Sequence, residues 1–464
     1  MFFYLYISIA SSSLIVYSPV ELREDFKSKY NSGLIKASLG NFGNPPYGTS
    51  LVGTVFQPES IKERDGCSPL TPITFNKDDP DHNSSPILLL DRGICSFVIK
   101  VRHAEDIGAR LVLIVNNKDS EIDSIIMTDN GLGGNLKIPA FLISREDGQT
   151  IRDYLEKPEF KYHVNIAVQF DMSKGSGKVK TWIYSSPTNT QARTLMGDLS
   201  TYMEKFDTKN LEFNHHFVLW YCPECAETGY KEDNKDCISG GRYCFLDPDE
   251  KNDEINGRQV MLEDLRLMCL FNLTSKKDYS EYFEYHSMYN QKCKDTKFLS
   301  EGCSKDIIEG LGVKYEKVED CVKKSFNGED FALDDNKVMK AEKEHIYENF
   351  MPFEPAVVIN DQLYRGDLEA EAIFQAICSG YGWGLKPKFC ELEESEESSG
   401  KKTESKSGVS KALIIVAIIL SFLLIIAILV VYRAIVKKDL NRDMKIQVNN
   451  AVAQYFQLAE SPRT

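Results

Sequence analysis

The chain has 464 residues, a formal net charge of −14 and 12 cysteines. The acidic balance excludes a nucleic-acid-binding surface as its main business. The length allows two or three domains with cores of their own, and the even cysteine count suits an oxidising compartment.

The chain opens on an apolar stretch, MFFYLYISIASSS, and residues 1–18 read as a cleaved secretory leader. A second membrane anchor is the alternative, but the apolar run is short and broken by serines. Residues 51–56, 86–90, 111–115 and 138–143 have the composition of short buried strands, and 98–108 has helical spacing. The alternation predicts a compact α/β or β-rich domain over 30–172. Arg92 follows a strand and precedes a glycine, so its guanidinium sits on a turn. There it could offer a fork of donors to a peptide carboxylate or carbonyl, or pair with a neighbouring carboxylate. Cys67 and Cys95 are the two cysteines of this domain; pairing them would clip the 57–85 loop to the arginine turn.

Ten cysteines fall in a second domain, 178–390, and they allow about 945 pairings, so connectivity stays open. Trp220-Tyr221-Cys222-Pro223-Glu224-Cys225 follows an apolar stretch, and a Cys-x-x-Cys at a strand end could carry thiol–disulfide exchange. Pro355–Asn360 resembles the cis-proline strand of thioredoxin-fold oxidoreductases. The expected fold is thus thioredoxin-like, disulfide-rich and carrying a helical insertion, an α+β unit after the α/β first domain. His215 and His216 are adjacent, so in a strand they point to opposite faces and cannot readily share a metal. No metal or cofactor site is expected.

Residues 391–411, acidic and serine-rich, read as a solvated stalk. Residues 412–432 are uncharged throughout, the length of a single transmembrane helix. All 12 cysteines precede them, as do the sequons at Asn83 and Asn272, which predicts a type I topology with a cytosolic tail over 433–464. In that tail Tyr455-Phe456-Gln457-Leu458 fits a tyrosine-based adaptor signal, with Tyr455 and Leu458 for two pockets. An unrelated amphipathic tail helix would also fit.

Several stretches carry a family resemblance. Asn41-Phe42-Gly43-Asn44-Pro45-Pro46-Tyr47-Gly48, Asp91-Arg92-Gly93-Ile94-Cys95-Ser96-Phe97 and Ile138-Pro139-Ala140 look like a protease-associated domain, and more narrowly like that of the plant-type vacuolar sorting receptors. Cys237–Cys244, Asp247-Pro248-Asp249 and Ala376–Gly380 extend the resemblance into the second domain. The resemblance implies that Arg92, Asn41, Phe42 and Gly43 contact a cargo sorting peptide. It also implies a Golgi and post-Golgi receptor that hands soluble lumenal cargo to clathrin adaptors on the way to a vacuole-like compartment. The receptors carry calcium-binding EGF-like repeats before the span; here the stalk stands in that place. The expectation is therefore a non-enzymatic receptor, with a membrane-anchored thiol oxidoreductase using Cys222 and Cys225 as the alternative. An anchored protease is set aside, since neither His-Glu-x-x-His nor Gly-x-Ser-x-Gly occurs.

Overall fold

The computed structural model describes residues 12–73, 85–129, 131, 133–222, 235–248, 255–294, 298–349 and 354–391. All of them belong to one compact unit that runs to Ser395. Asn83, Cys225, the 412–432 stretch, Tyr455 and Leu458 lie outside the described residues. No helix among the described residues is long and apolar enough to cross a membrane.

The first domain runs β1 (Ser13–Ser18), α1 (Val20–Tyr30), β2 (Leu34–Ile35), β3 (Ala37–Leu39), β4 (Ser50–Phe56), β5 (Ser85–Asp91), α2 (Phe97–Asp106), β6 (Leu111–Val115), β7 (Ala140–Ile143), α3 (Arg145–Leu155) and β8 (Asn165–Gln169). They build an eight-stranded sheet in the order β2-β1-β8-β4-β5-β6-β7-β3. Strands β4 to β7 are mutually parallel, whereas β1, β3 and β8 pair antiparallel with their neighbours. A parallel block covered on both faces calls for continuous apolar strands, which is why 86–90 and 111–115 do not alternate. Leu88, Leu90, Val112 and Ile114 face α2 through Val98, Val101 and Ala104. Ile87, Leu89, Leu111 and Leu113 face α1 and α3 through Leu22, Phe26, Ile151 and Leu155. Each such side chain contributes about 1.5–3 kcal/mol on burial.

The last residues of the leader expected over 1–18 form a strand. Ser13–Ser18 is a strand between β2 and β8, with Leu14 and Val16 buried in the core and Ile15 and Tyr17 exposed. Cutting after residue 18 would strip the sheet of a paired, half-buried strand. Amino-terminal sequencing of the mature chain is expected to find a start no later than Ser13. A start at Pro19 would show that the domain holds together without β1.

The second domain continues with β9 (Val179–Ser185), α4 (Thr190–Asp198), α5 (Ser200–Met203), β10 (Leu211–Phe217), β11 (Trp220–Tyr221), β12 (Cys237–Ile238), β13 (Tyr243–Cys244), α6 (Gly257–Thr274), α7 (Ser280–Lys292), α8 (Glu301–Gly310), α9 (Tyr315–Ser325), α10 (Lys337–Asn349), β14 (Ala356–Ile359), β15 (Gln362–Leu363) and α11 (Ala370–Ser379). Its main sheet has the order β10-β9-β14-β15, with β9 and β10 parallel and β14 antiparallel to β9. The Glu354–Pro355 peptide leading into β14 is cis. Helices α6 to α10 form the insertion. Disulfides Cys269–Cys321 and Cys293–Cys303 staple α6 to α9 and the end of α7 to α8, while Cys378–Cys390 ties α11 to the chain beyond it.

The insertion encloses an unusual group. Asp264 of α6 is 0% exposed, and neither carboxyl oxygen has a hydrogen-bond partner among the described residues. Burial first, then Glu263, Glu342 and Glu354, push its pKa well above the ordinary carboxylate value. Beside it Glu263 is fully engaged, holding Arg266 at 2.8 Å and accepting from Tyr285 and Ser304.

Candidate functional site

Arg92 stands at the C-terminal end of β5, the side of a parallel sheet where α/β folds place their ligands. Its backbone N–H donates to Val115 O at 2.9 Å, which fixes the turn to the end of β6. Its Nη1 donates to Asn116 Oδ1 at 2.9 Å, and the guanidinium lies 5.5 Å from the Phe97 ring centroid. Asn116 is buried and held in turn, because its Nδ2 donates to Lys118 O and Ser120 Oγ. The adjacent carboxylate, Asp91, is engaged by Arg152 Nη2 at 2.6 Å. Among the described residues no ion pair joins Arg92 to a carboxylate. A half-buried, oriented cation without an acidic partner is suited to taking one from a ligand.

The turn beneath it is rigid. Cys67 and Cys95 are disulfide-bonded, closing a span of 28 residues. Buried Lys100 donates through Nζ to Gly93 O at 2.7 Å and to Asp65 O, and reaches Cys67 Sγ at 3.3 Å. Burial pulls the Lys100 pKa down, with Asp65 and Asp91 acting against that. Ser96 caps α2, its Oγ accepting from Ile99 N at 3.4 Å. The long side chain of a buried lysine thus staples two loop segments, 65–67 and the arginine turn, from below.

Asn41, Phe42 and Gly43 are placed elsewhere. Strand β3 runs antiparallel to β7, so the chain leaves the sheet at the end of β7 opposite the one that meets Arg92's turn. The three residue steps from Ala140 to Ile143 span roughly 10 Å at the usual strand rise. Phe42 is 0% exposed and packs in the core with Val98, Met127 and Ile138, so its ring cannot touch cargo in this conformation. Any part Phe42 has in the cargo contact expected of the Asn41–Gly43 loop would therefore be through its backbone, since the ring is held by the core. Asn41 is partly exposed, and its N–H donates to Met127 O at 2.8 Å.

The same loop meets the second domain. Gly43 has φ +72°, and a Cβ there would sit 2.3 Å from Ile138 O, so only glycine fits. Its carbonyl accepts from Asp367 N at 2.8 Å. Tyr47 OH donates to Arg365 O at 3.0 Å, and its ring lies 5.4 Å from that of Tyr364. Burial chiefly, with Glu369 and Asp129, pushes the Asp367 carboxyl up to about 7. No signal in the sequence linked residues 41–47 with 364–367, because the two stretches lie more than 300 positions apart.

In the second domain the helix that follows β9 is α4, and the turn before it reads Ser186-Pro187-Thr188-Asn189, without a cysteine. Ser186 Oγ donates instead to Glu354 Oε1 at 3.2 Å, next to cis-Pro355. Cys222 is disulfide-bonded and follows β11, on the small β11-β13-β12 sheet. The helix that follows β9 thus starts at Thr190 and not at the Cys-x-x-Cys, and residues 223–234, which follow Cys222, lie outside the described residues. His215 and His216 have separate partners on opposite faces of β10. His215 bonds Ser185 Oγ at 2.8 Å and Tyr282 OH at 2.7 Å, whereas His216 meets Glu342 at 3.1 Å and stacks on His345. Asn272 of the second sequon is exposed near the C-terminal end of α6.

A family model for the PA domain matches residues 51–151, and one for the vacuolar sorting receptor thioredoxin-like domain matches 183–378. The chain is 28% identical over 408 residues to vacuolar-sorting receptor 1 of Pisum sativum, covering 82% of this chain and 61% of that receptor. It is 29% identical over 403 residues to vacuolar-sorting receptor 5 of Arabidopsis thaliana, covering 81% and 62%. It thus spans about three-fifths of the length of these relatives. Among solved structures, oxidised BdbD from Bacillus subtilis aligns at 11% identity over 44% of this chain and 89% of that one, but its TM-score of 0.27 carries no argument. These relatives are receptors rather than enzymes by name. With a PA-domain match followed by a match to the vacuolar sorting receptor thioredoxin-like domain, and with these relatives aligning over more than four-fifths of its length, the chain is similar to the vacuolar sorting receptors.

Proposed function

We propose that the protein is a single-pass type I receptor that binds sorting peptides of soluble lumenal proteins through its first domain. Its tail then recruits a clathrin adaptor through Tyr455 and Leu458, for delivery from the Golgi to a vacuole- or lysosome-like compartment. The observation that carries the binding half is Arg92, an oriented cation on a stapled turn with no carboxylate of its own among the described residues. The uncharged run over 412–432 and the tyrosine signal beyond it support the membrane and adaptor halves. Arg92 is the central contact in this reading, with the Asn41–Gly43 loop, whose Gly43 carbonyl meets Asp367, contributing from the domain seam.

The test is capture of soluble lumenal proteins by the full chain in detergent. Wild type should retain a defined set, and Arg92→Ala should lose at least ten-fold of it with an unchanged Tm. Equal capture by both would remove Arg92 from the site.

A further inference from the structure

In the turn after β5 the backbone N–H of Cys95 donates to Gly93 O at 2.8 Å, closing a three-residue turn centred on Ile94. Ile94 has φ +67°, the branch of the γ-turn that is rare and strained. A β-branched side chain enters that backbone region only at a cost, whereas glycine or asparagine would do so readily. Packing does not compensate, because the Ile94 side chain is 90% exposed. The conformation persists because its surroundings over-determine it: the disulfide at Cys95, the Lys100 ammonium on Gly93 O, and the capped start of α2. An apolar side chain is thus held rigidly into solvent two residues after an arginine that lacks a carboxylate.

We propose that Ile94 is the apolar anchor of the cargo site. It packs against an apolar side chain of the bound peptide while Arg92 takes a neighbouring carboxylate, either an acidic side chain or the peptide's own C-terminus. The inference rests on the receptor reading above and adds to it the class of peptide selected. A fixed anchor has little rotamer or loop freedom left to lose on binding, so its contact is retained as affinity. Backbone strain held at a surface turn, with nothing in the fold packed on it, is what a binding residue leaves in a structure.

The experiment presents the detergent-solubilised full chain with an octapeptide library, in free-acid and C-terminally amidated forms. The expected selection is an apolar residue beside a carboxylate, and loss of binding on amidation would assign that carboxylate to the terminus. For the selected peptides Ile94→Gly should weaken binding at least ten-fold while Tm stays level or rises, since the strain is relieved. Ile94→Leu should remain within about three-fold of wild type. Unchanged affinity in Ile94→Gly, with loss in Arg92→Ala, would overturn the anchor and leave the receptor reading standing. A fall in Tm together with affinity in Ile94→Gly would make Ile94 a structural residue and also overturn it. If wild type selects no peptide, the receptor reading fails and the anchor with it.

Discussion

Replacing Cys67 and Cys95 together by serine is expected to cost the first domain about 3–4 kcal/mol. The estimate is the chain entropy released to the unfolded state when a loop of 28 residues is no longer closed. For a domain of this size that corresponds to a fall in Tm of about 7–14 °C. The loss should not stop at stability. The same cross-link fixes Cys95, and through it Gly93 and the Arg92 turn, above the Lys100 ammonium. Peptide binding should therefore weaken below the variant's own melting temperature, while the second domain, stapled by its own disulfides, melts where it did before. Thermal unfolding followed by near-ultraviolet dichroism, with binding measured well below Tm, separates the two effects. A variant that melts early yet binds at full strength when folded would show that the disulfide does not position Arg92.

Asp264→Leu is expected to stabilise the second domain by about 1–3 kcal/mol at neutral pH, the usual penalty of a buried polar group without partners. Leucine has nearly the carboxylate's shape, so the cavity is refilled. The pH dependence fixes the sign. The Asp264 pKa is raised on folding, so its contribution is fully favourable below the unfolded value of 3.8 and is lost as pH rises toward the folded value. The advantage of the variant should therefore be absent near pH 3 and grow with pH, by up to about 1.4 kcal/mol per unit. Three histidines slope the other way. Burial lowers His286 to about 3 and His345 to about 4, and holds His215 well below 6.5, so each loses stability as pH falls below 6.5. Wild type should then lose stability between about pH 6.5 and 4 less steeply than Asp264→Leu, in which the histidines act unopposed. Urea titrations of both proteins at pH 4, 5.5 and 7.5 decide it. A stability gap independent of pH would mean that Asp264 is ionised or paired.

Much of the first domain is legible in the sequence because both faces of its parallel block are buried. Runs such as PILLL and LVLIV have no other economical reading, and α2 shows its face at helical spacing. Strand β1 escaped because an apolar stretch ending in serines has the composition of a leader as well as of a half-buried strand; its alternation, Leu14 and Val16 inward, was the available signal. Phe42 was assigned to cargo by resemblance, and only the tertiary packing puts its ring among Val98, Met127 and Ile138. Proximity of the Cys-x-x-Cys to an apolar stretch does not say which helix follows which strand. Topology gave α4 to Ser186-Pro187-Thr188-Asn189 and left Cys222 on a small separate sheet. For Ile94 the decisive quantity is the sign of φ, which an isoleucine in the sequence argues against. Asp264 sits on the buried face of α6 with Val260, Met261 and Leu265, where a carboxylate is the last residue that periodicity would place.

Strand β1 also bears on the order of events at synthesis. It leaves the ribosome well before its partner β8, which begins at Asn165, and Ser18 Oγ donates to the His163 carbonyl. At about 5–20 residues per second, an unpaired strand with two apolar side chains waits for roughly 7 to 30 seconds before its neighbour exists. For that interval its edges are open to any other extended chain in the same compartment. Crowding with nascent copies of itself, or early release from whatever shields the amino terminus, should therefore send this protein toward strand-exchanged dimers.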